Sequence, residues 1–553
     1  MTNKEIARNF NELARIMELH DENPFKIRSY ANAYLQLRKV GTPLVDMSDA
    51  EISGIKGVGK AIAGKIRELE RTGTLAALEK YREMTPQGVQ DMLRIKGFGP
   101  KKIKSLWKGL EVETIGELLY ACNENRLVEL KGFGAKTQED LRKKLEYFLK
   151  SQDQFLYATL EEVGEEVLAH LQQALPAGTP VAFVGAFRRR NPVLKGIELL
   201  VGGDLSAVFD GEELRLVRQE EDYYLARTAD EIPVRLFQCR PEAFGSKLFR
   251  HTGTEAFTQY FLERAQETDF RDLAEEAEVF AKAGIPYIEP ELREGPGAVD
   301  RALVGDRKPL IEVEEVRGVL HAHSTYSDGI NSLREMAEYS RDRGYEYLGI
   351  TDHSKSAFYA NGLKEDRLRR QWAEIDVLNE ELAPFKIYKG IESDILNDGS
   401  LDYPADLLQE FDFIIASVHS NLRMDQTKAT KRLLAAIANP YTTMLGHPTG
   451  RLLLAREGYP IDHRAVIDAC AEFRVAIELN ANPLRLDLDH TWIEYALEKG
   501  VLLSVNPDAH STGGIHDIHY GVLAARKGGL SADRCVCCFD RTDFEAFLAG
   551  QRV

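Results

Sequence analysis

Between residues 316 and 510 seven short apolar runs alternate with stretches of helical period: VRGVLHAH, YEYLGITDH, FKIYKGIESD, FDFIIASVH, TTMLGH, RVAIELNAN and VLLSVNPDAH. This alternation predicts a βα repeat around a parallel sheet. Six of the seven runs end on His, Asp or Glu, and the seventh ends on Asn480 and Asn482. In a βα barrel all strand C-termini open on one face, and that face carries the chemistry. Residues nearly 190 positions apart are therefore expected to converge.

The first run continues as HAHSTYSDG, residues 321–329. In an extended chain residues i and i+2 point the same way, so His321 and His323 can face one point. Taken alone, they read equally well as surface histidines at a strand end. Their companions decide: Asp328, His353, Glu392, His419, His447, Asp508 and His510 stand at the ends of the other runs or just beyond the first. Nine nitrogen and oxygen donors without a thiolate suit Zn²⁺, Mn²⁺ or Fe²⁺. Nine are too many for one ion and fit two or three. Clusters of this kind hydrolyse phosphate esters.

Residues 1–150 have a different character. A phrase recurs as ISGIKGVGKAIAGKI (52–66), LRIKGFGPKKIKSL (93–106) and LVELKGFGAKTQEDL (127–141). Each is an apolar helix end, then Gly-apolar-Gly, then a new helix. Glycine permits the tight turn and a close approach of the backbone, and the amides that open the next helix can hold a phosphate. The expected contacts are Gly57, Gly59, Lys60 and Lys65, then Gly97, Gly99, Lys101 and Lys102, then Gly132, Gly134 and Lys136. Helical hairpins alone would explain the glycines but not the lysines behind them. This is the helix-hairpin-helix pattern for sequence-independent contact with the DNA backbone.

Charge distribution agrees. The chain carries a net −17, yet residues 1–150 hold 27 Lys and Arg against 21 Asp and Glu. A basic front on an acidic body suits a polyanionic partner. No apolar run is long enough for a membrane span, and the start, MTNKEIARNFNELARIMELH, has no signal-peptide core. The six cysteines include no CxxC pair. Cys535-Val-Cys537-Cys538 reads as a buried strand rather than a zinc site. A reduced, cytoplasmic setting is expected. Residues 151–297 read as mixed α/β, with strands in PVAFVG, GIELLVGG, LRLVRQ and VRLFQC, and LREGPGAV (292–299) reads as a linker.

Taken together, HAHSTYSDG, GITDHSKS, ANGL, KGIESDIL, ASVHS, GHPTGR, ELNANPLRLDL and NPDAHS resemble bacterial PolX proteins, the family X DNA polymerases with a C-terminal PHP (polymerase and histidinol phosphatase) domain. The resemblance implies a multidomain α and α/β protein. It would comprise a helical lyase-type DNA-binding domain (1–85), helix-hairpin-helix fingers (86–150), a nucleotidyltransferase-like palm with a short thumb (151–297) and a (βα)7 PHP barrel (315–553). It implies 3′→5′ exonuclease and 3′-end phosphodiesterase activity on gapped DNA or DNA 3′ ends, by a monomer. The nine donors fall on the family's trinuclear site.

The palm departs from the family. There a Gly-Ser-x-Arg-Arg motif precedes Gly-Asp-x-Asp, and a third aspartate follows on a later strand. Here GAFRRRNPVLKGIELLV keeps Gly185, Arg188 and Arg189, but Ala186 replaces the serine. The metal-binding carboxylates fall on Gly196, Glu198 and Arg235. Phosphoryl transfer of this type needs carboxylates to hold two Mg²⁺, so polymerase activity is expected to be lost. Asp204 or Asp210 would substitute only if the strand register shifted.

Further roles are open. Arg451 either holds the scissile phosphate or forms a structural ion pair. Lys355 is positioned in sequence to reach phosphate, and Phe358 or Tyr359 either stacks on a base or packs locally. Lys65 matches the family's Schiff-base lysine, or is one more phosphate contact. The competing functions are a phosphatase of a small phosphomonoester, a still active family X polymerase and a non-catalytic DNA-binding scaffold.

Overall fold

The computed structural model describes residues 1–553 except 94, 96, 97, 129, 131, 151–153, 210–212, 267, 306, 307, 552 and 553. The chain divides into two compact units, residues 1–146 and 147–553.

The first unit is helical. Its opening helix, Asn3–Leu19, is capped by Thr2 and Glu5, each bonding the other's backbone amide. Its apolar face, including Ile6, Phe10, Leu13 and Met17, is buried. Residues on either side of the expected boundary at 85 and 86 touch within this one compact unit. Arg15 Nη2 donates to the Phe98 carbonyl at 3.1 Å, and the His20 ring meets Trp107 edge-on at 5.6 Å.

The second unit begins with a five-stranded sheet: β1 (Val181–Phe183), β2 (Ile197–Val201), β3 (Leu214–Gln219), β4 (Tyr224–Thr228) and β5 (Pro233–Gln238). Its order is β1-β2-β5-β4-β3, with β2 and β5 parallel and the other pairs antiparallel. Helices follow around an aromatic core of Phe249, Phe257, Phe261 and Phe280. The stretch expected as a linker, 292–299, is instead built in. Leu292 and Arg293 are buried, helix Gly297–Val304 starts there, and Arg293 pairs with Glu276 at 2.6 Å. Its Gly-Pro composition marks a tight turn, not a tether.

The seven apolar runs form one parallel sheet: β6 (Gly318–Val319), β7 (Tyr347–Ile350), β8 (Lys386–Asp394), β9 (Phe413–Ser417), β10 (Met444–Leu445), β11 (Ala476–Asn480) and β12 (Leu503–Asn506). They lie side by side in sequence order. Just past β6 and β12 the ring closes: His323 N–H donates to the Ala509 carbonyl at 2.8 Å, and Ala509 N–H to that of His321 at 3.1 Å. Both faces of the strands are buried, which explains their near-continuous apolar character. Gly349 and Gly390 leave the space that the Phe413 ring fills; a Cβ at either would lie 2.5–2.6 Å from it.

Cys535, Cys537 and Cys538 are buried, but not in the expected strand. Val536–Cys538 is a 3-10 turn, and Cys535 bridges Leu503, the first residue of β12, so the thiols pack under the end opposite the ligands. Barrel and palm sheet are one body. The buried Lys527 ammonium donates to the Arg189 carbonyl (2.9 Å), Asn191 Oδ1 (3.0 Å) and Glu294 Oε1 (2.6 Å).

Candidate metal centre and anion-binding hairpins

All nine expected ligands meet at the C-terminal mouth of the barrel. Eight of them fall into three sets whose donor atoms lie within 4.8 Å of one another: His323, Asp328, His353 and His510; His321, His323 and Asp508; and His353, Glu392 and His419. The ninth, His447, places Nε2 3.0 Å from Glu392 Oε1. Glu392 is the hub, with His419 Nε2 at 3.0 Å and His353 Nδ1 at 2.9 Å.

The cavity fits cations. His321 Nε2, His323 Nδ1, Asp328 Oδ2 and His447 Nδ1 are buried there without a hydrogen-bond partner, and so are His353 Nδ1 and Glu392 Oε2, which lie 2.9 Å apart without hydrogen-bond alignment. Each such atom costs about 1–3 kcal/mol when left unsatisfied, a burden that metal coordination removes. Burial should raise the carboxyl pKa values, yet His353 and His510 hold Asp328 well below the usual range. His419, His353 and His321 do the same for Glu392 against the same opposition. Asp508 is likewise held low, against burial, by His321 and His323. Burial, with His510 and His353, pushes His323 down to about 4. The same carboxylates raise His321, His353 and His419 against burial, so the positive charge that protons supply here is charge a metal ion would supply in their place.

Behind the ligands stands a ring of acceptors and donors that sequence reading missed. Glu478 on β11 holds His321 Nδ1 at 2.6 Å and accepts from Asn506 and Asn480. Asp394 holds His419 Nδ1 at 2.5 Å. Asp352 accepts from the amides of Ser324 (2.8 Å) and Ser327 (3.0 Å) and so shapes the loop that presents Asp328. Such partners orient ligating histidines. Their signal was present: Glu478 lies two residues before Asn480, Asp394 two after Glu392, and Asp352 beside His353. Asp508 has φ +53°, a left-handed conformation that aims its carboxylate inward.

Arg451 is committed elsewhere. Its guanidinium donates to Asp489, to the Leu486 carbonyl and, through Nε at 2.9 Å, to the Arg485 carbonyl. It braces the loop after β11, which corrects the expectation of a phosphate contact in favour of the structural ion pair. Arg485 itself, unforeseen, brings Nε to 3.9 Å from Asp508 Oδ2. Lys355 Nζ lies 5.2 Å from the centre of the Tyr403 ring. Phe358 is 87 % exposed, whereas the Tyr359 ring turns edge-on to His353 at 6.2 Å.

In the first unit, helix Lys60–Thr72 starts at Gly59, helix Pro100–Gly109 at Gly99, and helix Ala135–Lys150 just after Gly134. Gly59 and Gly99 give their helices no side-chain cap. A Cβ at Gly59, Gly99 or Gly134 would meet nothing within 4 Å, so an anion has open access to these backbones. Gly57 and Gly132 take φ +82° and +94°, as tight turns require. Gly97 lies outside the described residues. Lys60, Lys101, Lys102 and Lys136 are exposed in the first turns of the three helices, and Lys65 is half-buried one turn further along.

Known proteins match these regions. A helix-hairpin-helix domain family covers residues 1–75, a SAM-like helix-hairpin-helix tandem 89–146, and the PHP domain 320–482. A Bacillus subtilis (strain 168) protein called DNA polymerase/3′–5′ exonuclease PolX is 34 % identical over 571 aligned positions, covering 99 % of each chain. The chain belongs to the bacterial PolX family. Its barrel is also similar to shorter proteins called probable phosphatases. One, from Thermoanaerobacter sp. (strain X514), is 28 % identical over 38 % of this chain and 86 % of its own. Another, from Caldicellulosiruptor bescii, is 30 % identical over 34 % and 78 %.

In and beside the five-stranded sheet, residues singled out from the sequence are engaged in ion pairs. Glu198 faces Arg235 across the β2–β5 pairing, and Arg235 Nη1 lies 3.3 Å from Glu198 Oε1. The other carboxylate oxygen accepts from the Ala186 amide at 3.1 Å. Arg188 binds Glu276 through two bonds of 2.7–2.8 Å, and Arg189 binds Glu294 and the Thr252 carbonyl. Asp204 caps Ser206 in an exposed turn; Asp210 lies outside the described residues. Among the described residues no helix is long and apolar enough to cross a membrane.

Proposed function

We propose that this PolX protein shortens DNA from 3′ ends through its PHP barrel, as a metal-dependent 3′→5′ exonuclease and 3′-end phosphodiesterase, and that its palm no longer polymerises. The observation that carries this reading is the convergence of nine N and O donors on one buried mouth, six of their atoms lacking partners. His321, His323, Asp328, His353, Glu392, His419, His447, Asp508 and His510 would hold two or three divalent ions, Zn²⁺, Mn²⁺ or Fe²⁺. Bound there, such ions supply a water nucleophile at neutral pH and neutralise charge on the phosphodiester.

The chain's own groups do the rest. Glu478 and Asp394 keep the Nδ1 protons of His321 and His419 in place, so that each Nε2 lone pair faces the cavity. The barrel wall excludes bulk water, which strengthens every charge interaction inside. The open glycine turns and their lysines hold DNA by its backbone, whatever the sequence.

Loss of polymerase chemistry is supported by the palm. Gly196 offers no ligand, and Glu198 is already engaged by Arg235. A cation stands where a dication would have to bind; at an effective dielectric of 20, like charges about 4 Å apart repel by about 4 kcal/mol per charge product. The second reading, a phosphatase of a small phosphomonoester, draws on the barrel's likeness to the probable phosphatases. The hairpins favour DNA. Incubating a labelled primer–template with Mn²⁺, with and without nucleotides, tests the proposal. Shortening in both is expected; extension, or turnover of a small phosphomonoester without any on DNA, would overturn it.

A further inference from the structure

The loop that follows ligand His353 is held along its length. Leu363 N–H returns to the His353 carbonyl at 2.8 Å, so both ends of the loop are pinned at a ligand. Ser356 donates its amide to Asp402 and its hydroxyl to Asp394, each at 2.6 Å, and Asp394 is the residue that orients His419. Ala357 and Ala360 are fully buried. Arg367 clamps the far side, bonding the Asn361 carbonyl at 2.8 Å and the Tyr326 carbonyl.

From this fixed loop one large ring stands in water: Phe358, 87 % exposed. A single exposed apolar side chain on an ordinary surface needs no explanation. This one differs because its neighbours are tied down, and because the next residue, Tyr359, turns its ring edge-on to that of His353, with centres 6.2 Å apart. The ring thus borders the reacting mouth on a platform whose order is already established by the fold. Little further entropy is lost when a flat partner lands on it.

We propose that Phe358 is the stacking platform for the base at an unpaired 3′ end, holding the terminal nucleotide while its phosphodiester reaches the metal centre. The inference rests on the exonuclease reading and names the part of the substrate that this loop grips. Every base has a π face, so stacking accepts all four, as an enzyme that removes successive nucleotides requires. A paired terminal base is already held by its partner and its neighbour, so an unpaired end is the better ligand.

The test uses the full chain with Phe358→Ala, Phe358→Trp and wild type. Stacking on one base is worth about tenfold or more in affinity. Phe358→Ala should therefore raise KM on single-stranded DNA roughly tenfold with little change in kcat, and Phe358→Trp should restore it. The same variant should be neutral on a strand whose 3′-terminal nucleotide lacks a base. An equal loss on both strands, or none on either, would overturn the proposal. A readout independent of turnover uses 2-aminopurine at a 3′ end joined by a cleavage-resistant phosphorothioate. Wild type should quench its fluorescence and Phe358→Ala should not; equal quenching by both would defeat the proposal. Quenching by wild type without any DNA shortening would leave this proposal standing and remove the exonuclease reading instead.

Discussion

Arg235 and Glu198 stand opposite one another on two parallel strands, with Nη1 3.3 Å from Oε1. On the proposed reading of the palm, this pair neutralises Glu198, the carboxylate left at that site.

Restoring the missing ligand alone should fail. A Cβ at Gly196 would lie 2.4 Å from the Pro233 carbonyl oxygen, at φ +148°. Gly196→Asp should therefore destabilise the protein by about 1–3 kcal/mol, read as a lower Tm. Neither Gly196→Asp nor Gly196→Asp with Arg235→Asp should extend a gapped primer. Extension by either variant would show that the site is less dismantled than its geometry indicates.

Removing ligands should remove the chemistry. His447→Ala or Asp508→Ala should abolish DNA shortening and lower the metal content of the purified protein. Glu478→Gln leaves the ligand set intact but loosens His321, so metal affinity should fall about 10–100-fold. Metal titration followed by elemental analysis measures both; full activity in His447→Ala or Asp508→Ala would refute the assignment.

Acid should weaken the palm through Glu276. Burial opposes its charge, but Arg188 and Arg293 overcome this and lower its pKa from 4.5 to about 2. A carboxyl with a depressed folded-state pKa stabilises the fold fully above its unfolded value, and that stability is lost as pH falls through the folded value. About 3 kcal/mol is therefore present above pH ~4.5 and should disappear toward pH ~2. Glu276→Gln should lower stability at pH 7, because two arginines lose their counter-charge. It should also flatten this part of the pH dependence in denaturant titrations. An unchanged acid limb in the variant would exclude the pair as its source.

Salt dependence should report the hairpins. Replacing Lys60, Lys101, Lys102 and Lys136 with Ala removes up to four phosphate contacts. The slope of log K against log salt should fall by about 3, at roughly 0.7–0.9 per contact. Hydrolysis of a small artificial phosphodiester should persist, since the barrel holds all nine ligands. Deleting residues 1–146 should act in the same direction, and that cut follows a boundary between compact units. A cut at residue 300 would instead strip the buried Lys527 of its partners Arg189, Asn191 and Glu294. An unchanged salt slope in the four-lysine variant would place the DNA grip elsewhere.

Much of this architecture is written in local patterns. A strand alternates its side chains with period two, so His321 and His323 share a direction whatever surrounds them. A parallel barrel gathers its strand ends, so seven runs ending in donors define one mouth. Positive-φ glycines such as Gly57 and Gly132 mark their turns because other residues adopt that conformation at a cost. These features depend on neighbours in sequence, and they sufficed to bring the nine expected donors to one mouth and to locate the hairpin glycines, with Gly97 alone outside the described residues.

What only the tertiary structure decided are the partners of groups that have several possible ones. Arg451 follows a ligand-bearing run, yet its guanidinium is taken by Asp489 and two carbonyls some 35 residues away. Phe358 and Tyr359 are equivalent in sequence, but one faces water and the other His353. Residues 292–299 have the composition of a linker and became an interface, because Arg293 finds Glu276 and Glu294 finds Lys527. Local conformation follows from steric limits within a few residues of chain. A long charged or aromatic side chain instead takes whichever contact best satisfies its charge and its surface, and the fold brings that contact from far along the chain.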